Sequence, residues 1–262
     1  MQSLKKIALA VLLTGSLLLW VQGSALAFKV PIHEAITREA LAATQPAIDG
    51  ETLKFSNRAI QQIVDANKDT DQVVNQFSPE KHFDGEDFLG GSKRLVNLKE
   101  RTIAKVIDED PEESSARKDL GGALHTLQDF YAHSNWLELG HTSPNINNKL
   151  GREEFSGARK DTPTCPKDPG TLAGAGLSEL TSGYFLFSGK VVPSCSVPDG
   201  KCRHGLPLAC PTGINKDDDS RTGFSTARAL AVEATKEFLN HIFTDSRMAG
   251  NPKATKVLLG IN

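Results

Sequence analysis

The feature that most constrains this chain is an apolar helical segment that carries an ionisable side chain at every fourth position. His125, Asp129 and His133 stand at i, i+4 and i+8 within the sequence ALHTLQDFYAHSNW, residues 123–136. In a helix this spacing stacks the three side chains on one face. Their neighbours are large and apolar, namely Leu124, Leu127, Phe130 and Trp136. The pattern therefore predicts a helix that is buried on most of its surface.

These three ionisable groups need partners inside such a helix. Two imidazoles and a carboxylate are costly to bury unless hydrogen bonds or a cation satisfy them. A divalent metal is one solution, because neutral histidine nitrogens and carboxylate oxygens are ordinary zinc ligands. The alternative is a pair of hydrogen-bonded core histidines, since a single histidine is commonly only partly buried. Three such groups in register favour the metal.

Residues 1–27 have the three parts of an export signal. A short stretch with Lys5 and Lys6 precedes an apolar run, and Ala-Leu-Ala at 25–27 is a cleavage site of the A-x-A type. The run is too short and wrongly flanked for a transmembrane helix, and no later segment approaches about 18 apolar residues. We therefore expect a soluble, secreted or periplasmic protein whose mature chain begins at Phe28.

Residues 28–262 are enough for one domain with a sizeable core. The net charge of the full chain is −2, and it becomes −4 once the two leader lysines are removed. Such a balance gives no general attraction to nucleic acid, although a local basic cleft is compatible with it.

Apolar residues recur at helical spacing over much of the chain, which predicts a mostly α fold. The predicted helices run from about His33 to Thr44, over 51–67, from Leu89 to Ile107, from about Ser114 to Leu139, and from about Thr226 to Ile242. The acidic run 65–71 is predicted to be a turn after the second helix, because clustered Asp and Asn favour solvated loops and caps.

Residues 140–224 differ in composition from the rest of the chain. They are rich in Pro, Gly, Ser, Thr and Asn, which predicts an insertion of long loops, with 177–192 as either a short strand pair or a helix. All the cysteines of the chain lie in this insertion, at Cys165, Cys195, Cys202 and Cys210. In an exported protein they predict two disulfides, with three connectivities open. A zinc site made of cysteines is disfavoured, because no C-x-x-C pair is present.

Several of these residues together resemble the zinc-dependent phospholipase C and P1 nuclease superfamily. The shared features are the His-xxx-Asp pair His125 and Asp129, the preceding His82, the acidic run before it, and His33 close to the mature N-terminus.

A narrower resemblance is to the HET-C-like family, which includes the N-terminal region of von Willebrand factor A domain-containing 7. The sequence of 123–136 carries this resemblance most specifically. Segments 201–205 and 213–217 are similar to that family too, so the likeness covers most of residues 28–262.

The resemblance implies one helical domain of the phospholipase C and P1 nuclease type, residues 28–262, which holds two or three zinc ions. The first ion would be held by Asp71, His82, His125 and Asp129, with Asp65 and Asp69 as alternatives to Asp71. A second ion would be held by Asp129, by His33, and by the amine and carbonyl of Phe28 once the leader is cleaved. In this scheme Asp129 bridges two ions.

The resemblance also implies further ligands nearer the C-terminus. His133 matches the next histidine of the superfamily, although it follows the aspartate by four residues where six is usual. The last pair matches His241 and Asp245, which have the expected His-xxx-Asp spacing. His241 has an alternative role as a cation in the last turn of a helix, where it would interact with the helix dipole. Phe28 stands where Trp is usual, a change that backbone ligation tolerates.

The chemistry implied by these ligands is hydrolysis of a phosphodiester. Clustered zinc ions lower the pKa of bound water, orient a phosphate, and stabilise charge on the attacking and leaving oxygens. Asp65 or Asp69 would then be the general base near that water.

The leading expectation is a secreted zinc-dependent phosphoesterase, most similar to phospholipase C, that acts on a phospholipid or another phosphodiester with peripheral contact to a membrane. One alternative is a P1-like nuclease, for which nucleic acid is a partner only as the substrate. The other alternative is a non-catalytic HET-C-like interaction or toxin module that keeps the helices for structure.

Overall fold

Helices make up most of the fold. The structure, a computed structural model, describes residues 28–72, 74–109, 115–145, 149–172, 179–187, 190–191, 195–206 and 210–262. The predicted leader, residues 1–27, lies outside the described residues. Within those ranges, no helix is both long and apolar enough to cross a membrane.

The helices and strands follow one another in a simple order along the chain. The helices are α1 (Val30–Ala43), α2 (Asn57–Thr70), α3 (Pro79–His82), α4 (Phe88–Asp108), α5 (Ala116–His133), α6 (Phe224–Phe243), α7 (Ser246–Ala249) and α8 (Pro252–Leu259). A short 3-10 helix spans Asp84–Glu86. The strands are β1 (Ala47–Ile48), β2 (Glu51–Thr52), β3 (Leu186–Phe187) and β4 (Lys190–Val191).

Helix α5 is the centre of the fold, and it packs against α2, α4 and α6. Every residue of α5 except Lys118 is buried, as the apolar sequence predicts. Gly121 allows α2 to approach closely, because a Cβ atom at this position would lie 2.4 Å from the Ile63 carbonyl oxygen and 2.6 Å from the Ala66 Cβ. The two helix backbones therefore pack against each other with no side chain between them at this point.

A cluster of phenylalanines joins α5 to α4 and to the insertion. The ring of Phe130 lies edge-on to Phe83 at 5.4 Å and to Phe88 at 6.1 Å between centroids. Phe155 of the insertion lies 6.2 Å from Phe130 in the same manner. Because burying one Phe side chain contributes about 1.5–3 kcal/mol, this cluster anchors the insertion to the helices.

The second helix begins later than the sequence predicts. Helix α2 starts at Asn57 and not at residue 51, because the Ser56 hydroxyl accepts a hydrogen bond from the Ala59 amide and caps the helix. Strand β2 occupies the predicted first turn and pairs antiparallel with β1.

The acidic run 65–71 is not a turn, in contrast to the prediction. Residues 65–70 form the last turns of α2, and Asp71 is its C-terminal cap. Helical spacing places Asn67 and Asp71 on the buried face and leaves Asp65 and Asp69 on the exposed face. The run therefore presents only one of its carboxylates to the interior.

Helix α5 ends at His133 and not at Leu139. The backbone of Ser134 is extended, with φ −92° and ψ 165°, and Ser134 forms an isolated bridge with Ser182 of the insertion. The chain therefore leaves the helix where it meets the insertion.

Two disulfides close the insertion. Cys165 pairs with Cys202, and Cys195 pairs with Cys210, which confirms the predicted number and selects one connectivity. Both cross-links are compatible with an oxidising, extracellular location. Strands β3 and β4 pair antiparallel, so the described residues of segment 177–192 form the strand pair and not the helix.

Candidate metal centre

Within the described residues, five histidines and four aspartates converge around the C-terminal half of α5, and each is buried. Helix α5 supplies three of them, the ends of α1–α3 and the following turn supply four, and the insertion supplies two. They form a first cluster of His33, Asp71, His82, His125 and Asp129, and a second cluster of Asp84, His133, His204 and Asp217.

Asp129 is the centre of the first cluster because its carboxylate contacts three histidine rings. Its Oδ1 lies 3.1 Å from the Nε2 of His33. Its Oδ2 lies 2.8 Å from the Nδ1 of His82 and 3.0 Å from the Nε2 of His125. The two carboxylate oxygens therefore face different histidines, as expected of a ligand that bridges two ions.

Asp71 faces the same histidines from the end of α2. Its Oδ1 lies 3.6 Å from the Nε2 of His125, and neither carboxylate oxygen has a hydrogen-bond partner. A buried carboxylate without hydrogen bonds is costly unless a cation compensates it. Asp71 is thus a buried carboxylate that contacts His125 but accepts no hydrogen bond within the part of the chain that the structure describes.

The second cluster joins the last turn of α5 to the insertion. The Nε2 atoms of His133 and His204 lie 3.2 Å apart. Asp217 places its Oδ1 3.3 Å from the Nε2 of His133, and Asp84 places its Oδ1 3.1 Å from the Nδ1 of the same ring. Burial disfavours charge on His133, but Asp84 and Asp129 outweigh it and raise its pKa well above the usual value.

Each histidine has one ring nitrogen, here called its outer nitrogen, within hydrogen-bond distance of a carbonyl oxygen, and the outer nitrogen of His133 also lies near the Asp84 carboxylate. The pairs are His33 Nδ1 with Gln128 Oε1 at 2.6 Å, His125 Nδ1 with Asn67 Oδ1 at 3.2 Å, His82 Nε2 with the Asn75 carbonyl at 3.3 Å, His133 Nδ1 with the His82 carbonyl at 2.8 Å, and His204 Nδ1 with the Gly205 carbonyl at 2.7 Å. A carbonyl oxygen only accepts, so the outer nitrogens carry the hydrogens and a neutral ring presents a lone pair to its cluster.

The inner nitrogens then face one another at short range. The Nδ1 of His82 lies 3.2 Å from the Nε2 of His125, and the Nε2 atoms of His133 and His204 lie equally close. Two lone pairs at this distance repel unless a proton or a cation lies between them. Imidazole nitrogens and carboxylates are ordinary zinc ligands, so both clusters fit a zinc ion chemically.

Helices α1 and α2 hold the outer partners of the first cluster in place. The side-chain amide of Gln128 donates to the Thr37 hydroxyl at 3.0 Å, and so does the amide of Asn67. Asn67 also donates to the Gln128 oxygen at 3.2 Å. This network orients the rings of His33 and His125, as outer partners of metal-bound histidines commonly do.

Burial and neighbouring charges shift the pKa values of the first cluster in both directions. Burial opposes protonation of His33 and His82, but the Asp129 carboxylate outweighs it and raises the pKa of both rings. Burial lowers the pKa of His125 to about 3 and raises the pKa of Asp71 to about 7. Burial also opposes ionisation of Asp129, yet the histidines hold its pKa well below the usual value. In the absence of a metal, the Asp129 carboxylate therefore favours protonation of His33 and His82.

The structure brings together six of the residues that the sequence proposes as ligands. They are His33, Asp71, His82, His125, Asp129 and His133. Phe28 is buried beside them, with its ring 5.7 Å from that of His33. Ligation through the amine and carbonyl of Phe28 stays a prediction.

Neither of the two proposed general bases reaches the clusters. Asp65 is exposed on α2, where its carboxylate accepts a hydrogen bond from Gln61. Asp69 is also exposed and accepts one from Gln72. Their expected role is corrected because the acidic run is helical, which turns both side chains outwards.

The proposed last ligand pair, His241 and Asp245, lies apart from both clusters. Burial and the nearby cations Arg152 and Lys99 lower the pKa of His241. Asp245 caps α7 and holds the guanidinium of Arg247, with 2.8 Å between Oδ1 and Nε. The pair belongs to the outer end of α6, so its assignment as a ligand pair is corrected.

The second cluster contains Asp84, His204 and Asp217, which the sequence did not propose as ligands. Asp84 directly follows the His82-Phe83 dipeptide, and the other two lie in segments 201–205 and 213–217. Those segments resemble the HET-C-like family, which was a usable signal. Their composition of loop residues gave no periodicity from which to place their side chains.

A cleft opens onto both clusters. It is lined by Asp71, Gln76, His82, Asp84, His133, Phe185 and His204. No lysine or arginine is among these lining residues. The loop between α2 and α3, which supplies Gln76, also carries Val74 and Phe77, with 78% and 41% of their surface exposed.

Comparison with known proteins finds similarity over most of the chain. Residues 36–251 match the family described as the VWA7 N-terminal domain. The chain is 38% identical to human (Homo sapiens) von Willebrand factor A domain-containing protein 7 over 176 residues, which are 62% of this chain and 18% of that protein. The rat (Rattus norvegicus) protein of the same name is 36% identical over 199 residues, 70% of this chain and 21% of its own length. The chain thus spans about a fifth of these relatives, and no solved structure matches it.

Proposed function

Because the chain belongs to the VWA7 N-terminal domain family, and because its buried histidines and aspartates converge, we propose that it is a secreted zinc-dependent phosphodiester hydrolase. The observation that carries this proposal is the pair of inner ring nitrogens, on His82 and His125, that face each other at 3.2 Å beside the carboxylates of Asp129 and Asp71. A divalent cation between these donors would relieve the repulsion and satisfy the carboxylates together.

The residues of the first cluster would divide their donors between two zinc ions. Asp71, His82 and His125 would hold one ion and His33 the other, with Asp129 shared between them. When bound, zinc ions supply an acidified water and stabilise the charge that develops on a phosphodiester. Gln128 and Asn67 would keep the rings of His33 and His125 in the binding orientation.

The cleft favours a phospholipid over a nucleic acid as the substrate. The residues that line it include no lysine or arginine to bind the additional phosphates of a polynucleotide. The exposed apolar side chains of Val74 and Phe77 lie on the loop that borders the cleft, where they could contact lipid. Export through the leader 1–27 would bring such an enzyme to membranes, and the two disulfides are compatible with that location.

A second candidate is a metal-stabilised module without catalytic activity. It is favoured by the printed name of the relatives, von Willebrand factor A domain-containing protein 7, which states no enzymatic activity. It is also favoured by the complete burial of His33, His125 and Asp129. In this role the ions would hold α1 and α2 against α5.

Metal analysis combined with hydrolysis assays separates the two candidates. We expect the purified protein to carry at least two zinc ions and to release phosphocholine from phosphatidylcholine vesicles faster than it cleaves single-stranded DNA. His125→Ala should lower turnover by more than the roughly 10–100-fold typical of losing an outer partner of a metal ligand, because it removes a donor itself.

His241→Ala is the matched control, because it removes a half-buried histidine that lies apart from both clusters. It should keep both zinc content and turnover. Zinc-loaded protein that hydrolyses neither substrate would favour the non-catalytic module. Less than one zinc ion per chain would contradict both candidates.

A further inference from the structure

The second cluster differs from the first in the segments that build it. All donors of the first cluster lie on α1, α2, α3 and α5 or at their ends. In the second cluster, His204 and Asp217 come from the insertion, and only His133 lies within a long helix. The geometry of the second cluster therefore depends on how the insertion is held.

The Cys165–Cys202 disulfide lies next to His204 along the chain and in space. Cys202 is fully buried and precedes His204 by two residues. The Tyr184 amide donates to the Cys202 carbonyl at 2.8 Å, and the His204 amide donates to the Tyr184 carbonyl at 3.1 Å. The disulfide and the histidine ring are thus fixed to the same backbone segment.

Hydrogen bonds between the segment of His204 and the segment of Asp217 fix the position of Asp217. The Asn215 amide donates to the His204 carbonyl at 3.1 Å, and the Asn215 side chain donates to the same carbonyl at 2.6 Å. The Lys216 amide donates to the Ala132 carbonyl of α5 at 2.9 Å. These bonds aim the Asp217 carboxylate at His133.

Asp84 depends on the insertion through the buried side chain of Glu86. Lys201, which precedes Cys202, places its Nζ 2.6 Å from a Glu86 carboxylate oxygen, and the Thr181 hydroxyl donates to the other oxygen at 2.6 Å. Glu86 has a φ of 63°, a left-handed conformation that is strained for a non-glycine residue. Contacts from the insertion therefore hold the strained turn that carries Asp84.

Joining these observations, we propose that the second cluster is a zinc site that forms only after the Cys165–Cys202 disulfide has formed. The inference rests on the proposed zinc centre, whose first cluster needs no contact with the insertion. The domain would therefore bind its first ions on the helices alone and add the last ion only in an oxidising compartment.

The second cluster becomes able to bind zinc through a thiol–disulfide exchange that forms the Cys165–Cys202 bond. The thiolate of one cysteine attacks a disulfide of an export-compartment oxidant and forms a mixed disulfide. The thiolate of the other cysteine then displaces the oxidant. Cys165 and Cys202 together lose two electrons and two protons, and the oxidant is reduced to two thiols. No metal redox change is involved, because zinc keeps its charge.

The test compares two double variants by elemental analysis of zinc. Cys165→Ser with Cys202→Ser should lose one zinc ion per chain relative to the wild type and should match the loss caused by His204→Ala. Serine is used because a freed thiolate would itself bind zinc.

The matched control, Cys195→Ser with Cys210→Ser, removes the other disulfide of the insertion. It should keep the wild-type zinc content, because Leu206 and Cys210 are also joined by two backbone hydrogen bonds of 2.6 and 3.0 Å. Far-ultraviolet circular dichroism verifies that each variant keeps its helices.

The outcomes separate this inference from the proposed function. Unchanged zinc in the Cys165/Cys202 variant, or in His204→Ala, overturns the inference while leaving the first cluster intact. Wild-type protein with less than one zinc ion overturns the proposed function itself. Absence of hydrolysis bears only on the proposed function, because zinc content is the readout here.

A second measurement tests the inference if the serine variant fails to fold. Wild-type protein is folded with a water-soluble phosphine, which becomes a phosphine oxide as it reduces each disulfide. The reduced protein is loaded with cobalt and is then oxidised with glutathione disulfide. We expect cobalt content to rise by one ion on oxidation. The absorption bands of thiolate-bound cobalt would identify any ion held by free cysteines. A cobalt content that is equal in both states, with no such bands, overturns the inference.

Discussion

At the scale of single residues, the candidate centre is defined by which ring nitrogen of each histidine carries the hydrogen. The outer nitrogens of His33 and His125 meet the oxygens of Gln128 and Asn67, so their inner nitrogens carry lone pairs. Asp129 then has the position of a shared ligand, since each of its oxygens faces a different ring. A metal and a set of protons are the two ways in which these donors can be satisfied, and the two ways respond oppositely to pH.

Metal-free protein should lose stability as the pH rises above neutrality. The pKa values of His33, His82 and His133 are raised in the folded state, mainly by Asp129 and Asp84 acting against burial. A group whose pKa is raised on folding stabilises the folded state fully at a pH below its unfolded-state pKa. This contribution is lost as the pH rises through its folded-state pKa. The Tm of chelator-treated protein should therefore fall as the pH rises above the ordinary histidine pKa of about 6.5.

Zinc-loaded protein should show no such fall over the same range, because the ions take the place of the protons. Thermal unfolding followed by circular dichroism, with and without a chelator, makes the comparison. A metal-free Tm that rises with pH would contradict the assignment of these protons.

At the scale of the elements, helix α5 was predictable and the loops were not. The 3.6-residue periodicity placed His125, Asp129 and His133 on one face of a buried helix, and they lie there. The acidic run 65–71 was misjudged, because composition favours a turn while packing of Asn67 against α5 extends α2 by a further turn. Periodicity gives no such guidance for His204, whose position follows from disulfides and backbone pairing.

The contact of α2 with α5 should be intolerant of even one methyl group. Gly121→Ala gains up to about 1 kcal/mol of helix propensity, but its Cβ would approach the Ile63 carbonyl oxygen to 2.4 Å. Overpacking of this kind costs about 1–3 kcal/mol, so we expect a net loss of stability in urea unfolding. Gly250→Ala is the control, since nothing lies within 4 Å of the added atom. Equal stability of both variants would show that the helices can separate without cost.

At the scale of the whole molecule, the segment that begins at Phe28 and the insertion meet at the candidate metal centre. The Lys29 amide donates to the Asp217 carbonyl at 3.1 Å, and the ring of Phe28 packs against His33 and Phe224. The sequence predicted a mostly α domain with a disulfide-tied insertion, and the helices and both disulfides confirm that description. It did not predict that the insertion supplies donors, because contacts between distant segments leave no periodic signal.

Removal of the leader should complete one metal site. A chain that begins with one extra Met before Phe28 should hold one zinc ion fewer than the chain that begins at Phe28, because a peptide nitrogen is a poor ligand. Phe28→Trp should keep that ion, since the expected donors are backbone atoms. Elemental analysis and thermal unfolding compare the three proteins. Equal zinc content in the extended chain would show that the amine of Phe28 is not a ligand.

The complete burial of His33, His125 and Asp129 also governs how an ion would enter and leave. A chelator in solution cannot contact these three residues, which do not line the cleft, so departure of an ion that they hold would require α1 to separate transiently from α5. The off-rate would then follow the frequency of this local opening and not the affinity of the donors. A centre of this kind retains its ions by kinetic trapping, even where competing chelators bind zinc more tightly.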